Sequence, residues 1–267
     1  MEAVKAKVLL LGMSRPIGSQ DENQNPEKIV ACAGKLCYAK SNITDLYDGL
    51  TESKVTSFVE MLANMGHESP IEHISFTFGI EGISRACSHQ LVRHRLASYS
   101  QQSQRYVDLG NTFNYIIPPE IASNPEAKAI FEKSVMNDYQ NYVAIVEAKL
   151  KEYTAGITDK KIISKLTKKA LEDARFALPN ACETKIIMTM NARELMNFFA
   201  KRCCNRAQWE IREVADQMLD LCLQECPHIF KNAGAPCVYG HCPEGQMSCG
   251  HPLEPRPIQL TLHKEEK

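Results

Sequence analysis

The sequence predicts an α+β protein, in which a few short β-strands accompany several long amphipathic helices. Three segments show the short apolar run or the alternation of apolar and polar residues that is typical of a strand, at 7–13, 73–80 and 183–190. Longer segments repeat apolar residues every three or four positions, which indicates helices at 27–38, 51–65, 84–93, 125–150, 159–173, from 191 onward and at 208–225. No G-x-G-x-x-G, P-loop or H-E-x-x-H pattern occurs, so a bound nucleotide would not rest on a Rossmann fold.

Local signals fix several of these boundaries. Ser84 and Asn191 are residues whose side chains can cap the first turn of a helix. Asn124 precedes a proline, which suits the first helical position. Gly66 and Gly156 are placed to end the helices that precede them. The segment 14–26 is polar and predicts a loop.

Composition excludes some classes of protein. The chain has 267 residues, 44% of them hydrophobic, and a net charge of −1, so it lacks the basic surplus of a protein that coats nucleic acid. The sequence contains no run of 18 apolar residues, so it predicts no membrane span. The first residues lack the pattern of an export signal. We therefore expect a cytoplasmic protein whose eleven cysteines are reduced thiols.

The run 93–106 combines cations with neutral hydrogen-bonding groups. Arg93-His94-Arg95 contains no carboxylate, and residues 100–104 are all serine or glutamine, followed by Arg105 and Tyr106. Arginine presents a planar fork of donors to phosphate, and amides and hydroxyls match the heteroatoms of a flat ring. The run therefore favours a nucleotide ligand over the alternative of a solvated basic turn, because it directly follows the segment 80–92, which is predicted to be buried.

A second arginine stands in an apolar context. Arg202 shares a predicted helical face with Leu195 and Phe199, and a buried arginine needs either a ligand or an acidic partner within the chain. The single tryptophan, Trp209, is expected in the core.

Arg93-His94-Arg95, seven further residues and then Ser103 resemble the signature of the flavin-dependent thymidylate synthases. The resemblance extends over roughly residues 60–225, with matching blocks at 67–78, 175–179 and 191–211. It implies an α+β fold with a mostly antiparallel sheet and long helices packed on it. It also implies reductive methylation of dUMP to dTMP, with methylenetetrahydrofolate as one-carbon donor, FAD as redox carrier, NADPH as reductant, and a homotetramer whose subunits share each site.

The resemblance assigns roles residue by residue. The positions that match FAD contacts are Ser69, Arg93, His94, Arg95, Gln101, Asn191, Arg193 and Asn197. The positions that match dUMP contacts are Gln90, Arg93, Gln101, Gln102, Ser103, Gln104, Arg105, Arg175 and Arg202, and Arg202 is the expected catalytic residue. Many family members carry an acidic residue where this chain has Gln101, so we expect altered flavin or nucleotide contacts there.

Two alternatives stay open at this point. Ser103 could be a nucleophile, but its neighbours offer His94 as the only base, which favours a hydroxyl that binds ligand. The whole chain could instead be a non-catalytic nucleotide- or RNA-binding protein, which would be colourless where a flavoprotein is yellow.

The composition changes after Cys226-Pro227, so we expect one catalytic domain over 1–226 and a Cys-, Pro- and Gly-rich extension over 227–267. The extension and its border contain borderline and soft metal ligands at Cys226, Cys237, His241, Cys242, Cys249 and His251. A structural zinc would use four such groups, whereas the spacing lacks a paired C-x-x-C and favours reduced thiols.

Overall fold

The computed structural model describes residues 2–17, 25–109 and 114–254. Its strands form one four-stranded antiparallel sheet in the order β1-β2-β4-β3, which confirms the predicted fold class. The strands are β1 (Lys7–Met13), β2 (Ser75–Ser84), β3 (Ser98–Gln101) and β4 (Glu183–Asn191).

Helices accompany the sheet, and the long ones among them were predicted. Within the described residues they are α1 (Glu27–Leu36), α2 (Ile43–Asp48), α3 (Glu52–Met65), α4 (Arg85–Leu91), α5 (Pro119–Ala122), α6 (Pro125–Tyr153), α7 (Lys160–Ala174), α8 (Ala192–Arg202), α9 (Trp209–Glu225) and α10 (Pro227–Phe230). Short 3-10 helices cover Ser69–His73 and Arg175–Ala177. The predicted loop over 14–26 lies partly outside the described residues.

Side chains of β2 alternate between buried and partly exposed positions, as in a strand with one face in the core. Phe76, Phe78 and Ile80 are buried while their neighbours are partly exposed, so one face of the strand belongs to the core. The strand runs four residues beyond the predicted end at 80, to Ser84. Gly82 permits this continuation, because its φ is +68° and a Cβ there would stand 2.0 Å from the carbonyl oxygen of Lys5.

The described chain divides into two compact units. The first consists of 2–7, 80–93 and 100–186, apart from the residues left undescribed, and contains α4, α6 and α7. Its core includes Tyr115, Val135 and Cys182 in one cluster and Tyr142 and Leu171 in another.

The second unit consists of 8–79, 94–99 and 187–254, again apart from the residues left undescribed. It contains α1 to α3 and α8 to α10. Edge-to-face aromatic contacts hold its core together. The ring of Phe230 lies 5.5 Å from Phe76 and 6.0 Å from Phe199, and Phe198 lies 5.8 Å from Phe199. Trp209, expected in the core, is only partly buried because it occupies the first turn of α9.

Candidate active site

Helix α4 positions the first group of candidate residues. The side chain of Ser84 accepts a hydrogen bond of 2.9 Å from the backbone N–H of Cys87, which is the predicted cap. The helix ends at Leu91, two residues earlier than predicted, so Arg93 and His94 do not extend the helical face of Gln90. Arg93 is exposed and Gln90 is half-buried.

The first unit contains a cavity of about 270 Å³ that is lined by cations and neutral groups. Arg85 and His89 line it one helical turn apart on α4, and Gln104 and Arg175 complete its polar lining. The remaining lining residues are Phe176, Leu178, Pro179 and Asn180. None of these residues is a carboxylate, so within the described chain the lining offers the cavity positive charge alone.

Electrostatics make this cavity receptive to an anion. Burial lowers the pKa of the Arg85 guanidinium, and the charge of Arg175 lowers it further against an opposing effect of Cys182. An anion in this cavity would offset the desolvation of Arg85 and its repulsion with Arg175. The ring of Phe176 is 85% exposed beside them and offers a flat apolar face to an aromatic ligand.

The glutamine and serine run begins inside β3, so its first two residues, Ser100 and Gln101, belong to a strand. Gln101 donates to the hydroxyl of Thr184 at 3.1 Å, and the backbone N–H of Gln102 donates to the carbonyl oxygen of Lys185 at 2.9 Å. Pairing with β4 therefore turns the start of the run into a strand, although its polar side chains give no strand signal of their own.

The later residues of the run have separate surroundings. Gln104 reaches the cavity and donates to the thiol of Cys182 at 3.5 Å. The Ser103 hydroxyl accepts from the backbone N–H of Arg105 at 3.2 Å, and the Arg105 guanidinium forms a 2.8 Å ion pair with Glu172. The structure thus brings Gln104 and Arg175 into one cavity, while Gln101, Gln102, Ser103 and Arg105 are not among its lining residues.

A second cluster lies in the other unit and centres on His94. The imidazole is 7% exposed, and its Nε2 accepts a 3.0 Å hydrogen bond from the Nε of Arg202. The ring meets Phe198 edge-to-face at 4.8 Å, and its Nδ1 lies 3.9 Å from an oxygen of Glu194. The hydroxyl of Tyr99 donates to the carbonyl oxygen of His94 at 2.8 Å.

The imidazole in this cluster is neutral. Burial lowers the pKa of His94 to about 4, and the charges of Arg202 and Lys201 act in the same direction. Since Nε2 accepts from Arg202, the proton of the neutral ring is on Nδ1, which faces Glu194. Arg202 is therefore paired with an uncharged acceptor, and among the described residues no carboxylate lies within ion-pair distance of it, unlike the intramolecular salt bridge considered from sequence.

Helix α8 and its cap position three of the predicted flavin contacts, Asn191, Arg193 and Asn197. Asn191 caps the helix by accepting from the backbone N–H of Glu194 at 2.9 Å, as predicted. Asn197 donates to the carboxylate of Glu194 at 3.3 Å. The half-exposed guanidinium of Arg193 forms ion pairs with Glu68, at 3.1 Å, and with Glu72.

Of the remaining predicted flavin contacts, Ser69, Arg93 and Arg95 are exposed, whereas Gln101 is half-buried and His94 is buried. Ser69 is exposed at the start of a 3-10 helix, next in sequence to Glu68. Arg93 and Arg95 are exposed, and within the described residues neither guanidinium has an ion-pair partner. Unpaired guanidinium groups and exposed amides suit a dinucleotide, which presents a pyrophosphate and a polar ring edge.

The zinc expectation finds no support in the described residues, where no three histidine, cysteine or acidic side chains converge as metal ligands. Cys237, Cys242 and Cys249 are free thiols. Polar contacts hold the tail instead: Arg206 binds Glu244 at 3.0 Å and the carbonyl oxygen of Met247 at 2.6 Å. Across the same described residues, no helix is both long and apolar enough to cross a membrane.

Two basic residues of the cavity, Arg85 and His89, were not predicted from the sequence. Both belong to helix α4, which was predicted, and their spacing of four residues was the signal that could have identified them. The burial of His94 was also missed, because it depends on packing against α8 and leaves no local pattern.

The chain is thus an α+β protein with a cavity in its first unit that is lined by two arginines and no carboxylate. The model of the family described as thymidylate synthase complementing protein matches residues 20–228, and the chain belongs to that family. A flavin-dependent thymidylate synthase of Clostridium tetani is 53% identical over 236 residues, which cover 88% of this chain and 93% of that protein.

More distant relatives carry the same description. The flavin-dependent thymidylate synthase of Geobacter sulfurreducens is 49% identical over 231 residues, covering 86% of this chain and 91% of that protein. That of Pyrococcus furiosus is 37% identical over 252 residues, covering 91% and 93%. A crystal structure of a UMP/dUMP methylase from Streptomyces cacaoi, bound with 5-Br dUMP, matches with a TM-score of 0.67 at 21% identity, covering 87% of this chain and 97% of that one, which shows the common fold.

Proposed function

We propose that this protein is a flavin-dependent thymidylate synthase, which converts dUMP to dTMP with methylenetetrahydrofolate as one-carbon donor, FAD as redox carrier and NADPH as reductant. The observation that carries the proposal is the cavity with Arg85, Arg175 and Gln104, which combines positive charge, an amide and the exposed Phe176 ring. Family membership supports the same activity, because the named relatives are flavin-dependent thymidylate synthases.

In this proposal the cavity binds the nucleotide. Arg85 and Arg175 neutralise the phosphate, each with a fork of charged donors. The amide of Gln104 is within the same lining and contacts the polar edge of the nucleotide. Gln90, Gln101, Gln102, Ser103 and Arg105 remain proposed dUMP contacts from the resemblance. The Ser103 hydroxyl binds ligand, since its described hydrogen bond is from a backbone N–H and not to an activating base.

Arg202 is the proposed catalytic residue. Methylation at C5 makes the uracil ring nucleophilic and places negative charge on it, and a fixed cation stabilises that charge. The Nε of Arg202 donates to His94, and among the described residues no hydrogen bond engages the two terminal nitrogens of the guanidinium, which can therefore donate to the ring. Because the acceptor is neutral, the full positive charge of Arg202 stays available to the substrate.

Ser69, Arg93, His94, Arg95, Gln101, Asn191, Arg193 and Asn197 would hold FAD. The exposed, unpaired guanidinium groups of Arg93 and Arg95 fit its pyrophosphate. The chemistry that FAD supplies when bound is the passage of reducing equivalents from NADPH to the transferred one-carbon unit.

We further propose a cytoplasmic homotetramer in which Arg93-His94-Arg95 of one subunit and Asn191, Arg193 and Asn197 of another surround each FAD. Residues 1–226 are the proposed catalytic domain and 227–267 its extension. Mixing an inactive Arg95→Ala variant with an inactive Asn197→Ala variant should restore part of the activity if subunits exchange. Exchange without any recovery would contradict the shared site.

The visible spectrum separates this proposal from a non-catalytic nucleotide- or RNA-binding protein. The purified protein should be yellow and release FAD on denaturation, and dUMP should be consumed only when methylenetetrahydrofolate and NADPH are present. A colourless protein that binds dUMP without converting it, even after FAD is added, would favour the binding protein. The net charge of −1 already disfavours RNA as the ligand.

A further inference from the structure

The guanidinium of Arg202 is held at one nitrogen by a neutral ring. Its Nε donates to Nε2 of His94 at 3.0 Å, at the last residue of α8. A long side chain at a helix end samples many rotamers unless a partner fixes it, and ordering it costs conformational entropy. His94 is therefore the contact that selects one orientation of Arg202.

Helix α8 itself supplies the socket for this ring. Glu194, Phe198 and Arg202 are spaced by four residues and lie on one face of the helix. His94 meets all three, at 3.9 Å from the Glu194 carboxylate, 4.8 Å from the Phe198 ring and 3.0 Å from the Arg202 Nε. Phe198 fixes the plane of the imidazole, and the carboxylate faces its Nδ1.

The carboxylate selects the tautomer. A proton on Nδ1 is attracted to Glu194, and the lone pair that remains on Nε2 is the one that Arg202 needs. The opposite tautomer would place an N–H of the ring against an N–H of the guanidinium. The side chain of Asn197 donates to the Glu194 carboxylate, and the side chain of Asn191 accepts from the Glu194 backbone N–H, so both hold Glu194 and its turn of helix in place.

We propose that His94, held by Glu194 and Phe198, is a positioning residue that aims the guanidinium of Arg202 at the pyrimidine ring of the substrate. This inference rests on the proposed function for the identity of the ring, and on the described contacts for the alignment itself. It gives His94 a role toward the substrate in addition to its expected contact with FAD, and it gives Glu194 a role that no sequence motif assigns.

A matched pair of variants tests the alignment. In His94→Gln the side-chain amide reaches as many bonds from Cβ as Nε2 does, so an acceptor for Arg202 is retained. In His94→Asn the amide ends one bond short, where Nδ1 stood. Both replacements keep a polar side chain at position 94. His241→Gln changes an exposed residue of the tail and serves as the control.

We expect His94→Asn to lower the kcat for dTMP formation by at least about tenfold, which is typical of losing a hydrogen bond to a charged group. His94→Gln should recover most of that loss at equal FAD content, and Glu194→Gln should cause a smaller loss in kcat. The control should match the parent protein. Equal activity of His94→Asn and His94→Gln at equal FAD content would overturn the proposal.

A double-mutant cycle shows whether His94 acts through Arg202. The dissociation constant of dUMP is measured by calorimetry for His94→Asn, Arg202→Ala and the double variant. His94→Asn should weaken binding in the parent and have no further effect once Arg202 is absent. Additive losses would overturn the alignment role. Since this readout needs no turnover, a parent protein that binds dUMP without forming dTMP would refute the proposed function and leave the alignment still decidable.

Discussion

Replacing Arg85 by alanine tests the phosphate end of the candidate site most sharply. The residue is half-buried in a cavity with Arg175 and without a carboxylate in its lining. A hydrogen bond between charged groups contributes about 1.5–3 kcal/mol, so its loss should raise the dissociation constant of dUMP by roughly 10- to 150-fold. The variant also loses the repulsion between Arg85 and Arg175, which offsets part of this cost. We therefore expect an increase in the dissociation constant near the lower end of that range.

The assay compares dUMP with deoxyuridine, which differs only in lacking the phosphate. Calorimetric titration of both ligands into the parent and into Arg85→Ala completes a thermodynamic cycle. The affinity for deoxyuridine should change by less than about twofold, because Arg85 makes no contact with the ring in this account. Lys161→Ala removes an exposed cation from α7, outside the cavity, and should leave both affinities unchanged.

Two results would refute this reasoning. Equal weakening of dUMP and deoxyuridine would mean that Arg85 supports the fold of the cavity and not the phosphate. No weakening of either ligand would place the phosphate somewhere other than the cavity between α4 and Arg175.

Further predictions concern stability, the tail and the polar run. The hydrogen bond to buried Glu27 raises the pKa of His228 above 6.5, so its stabilisation is present below that pH and is lost as pH rises through the folded pKa; His228→Ala should therefore lower the melting temperature more at about pH 6 than at about pH 9. Arg206→Ala loses the contacts to Glu244 and Met247 at 3.0 and 2.6 Å, so it should speed proteolysis within 233–254 in a timed digest. An unchanged rate of digestion would mean that Arg206 does not hold the tail. Ser103→Ala should weaken dUMP binding in a titration yet retain turnover, whereas a covalent adduct between Ser103 and the nucleotide would reverse that role. Gln101→Glu should keep dTMP formation within about tenfold of the parent in a rate assay, because an acid retains an oxygen that can accept from its neighbour.

The elements that the sequence predicted well are those with local causes. Strand β1 covers the predicted 7–13, and the caps at Ser84 and Asn191 lie where the side chains indicated. Capping and periodicity act within one or two turns, so a single sequence contains them in full.

The features that escaped prediction depend on distant partners. Strand β3 forms from serines, a tyrosine and a glutamine because it pairs with β4, more than 80 residues away in sequence. The motif suggests that His94 is one of three cations. The ring is instead a buried, neutral acceptor because it packs against side chains of α8. The charge of a histidine is set by its surroundings, which no motif records.

The candidate site was predicted in part for the same reason. The resemblance identified Arg175 and Gln104, which the structure brings into one cavity, but not Arg85 and His89 beside them. Their role emerges only when the first turns of α4 and the segment after α7 are seen around a common space.

The most direct test of the central claim is mass spectrometry of the nucleotide after incubation of the yellow protein with dUMP, methylenetetrahydrofolate and NADPH. We expect a product one CH₂ unit heavier than dUMP that co-elutes with dTMP. We also expect this product to be lost in Arg202→Ala at undiminished FAD content. Unchanged dUMP after complete reduction of the bound flavin, or dTMP formed at the parental rate by Arg202→Ala, would contradict the claim.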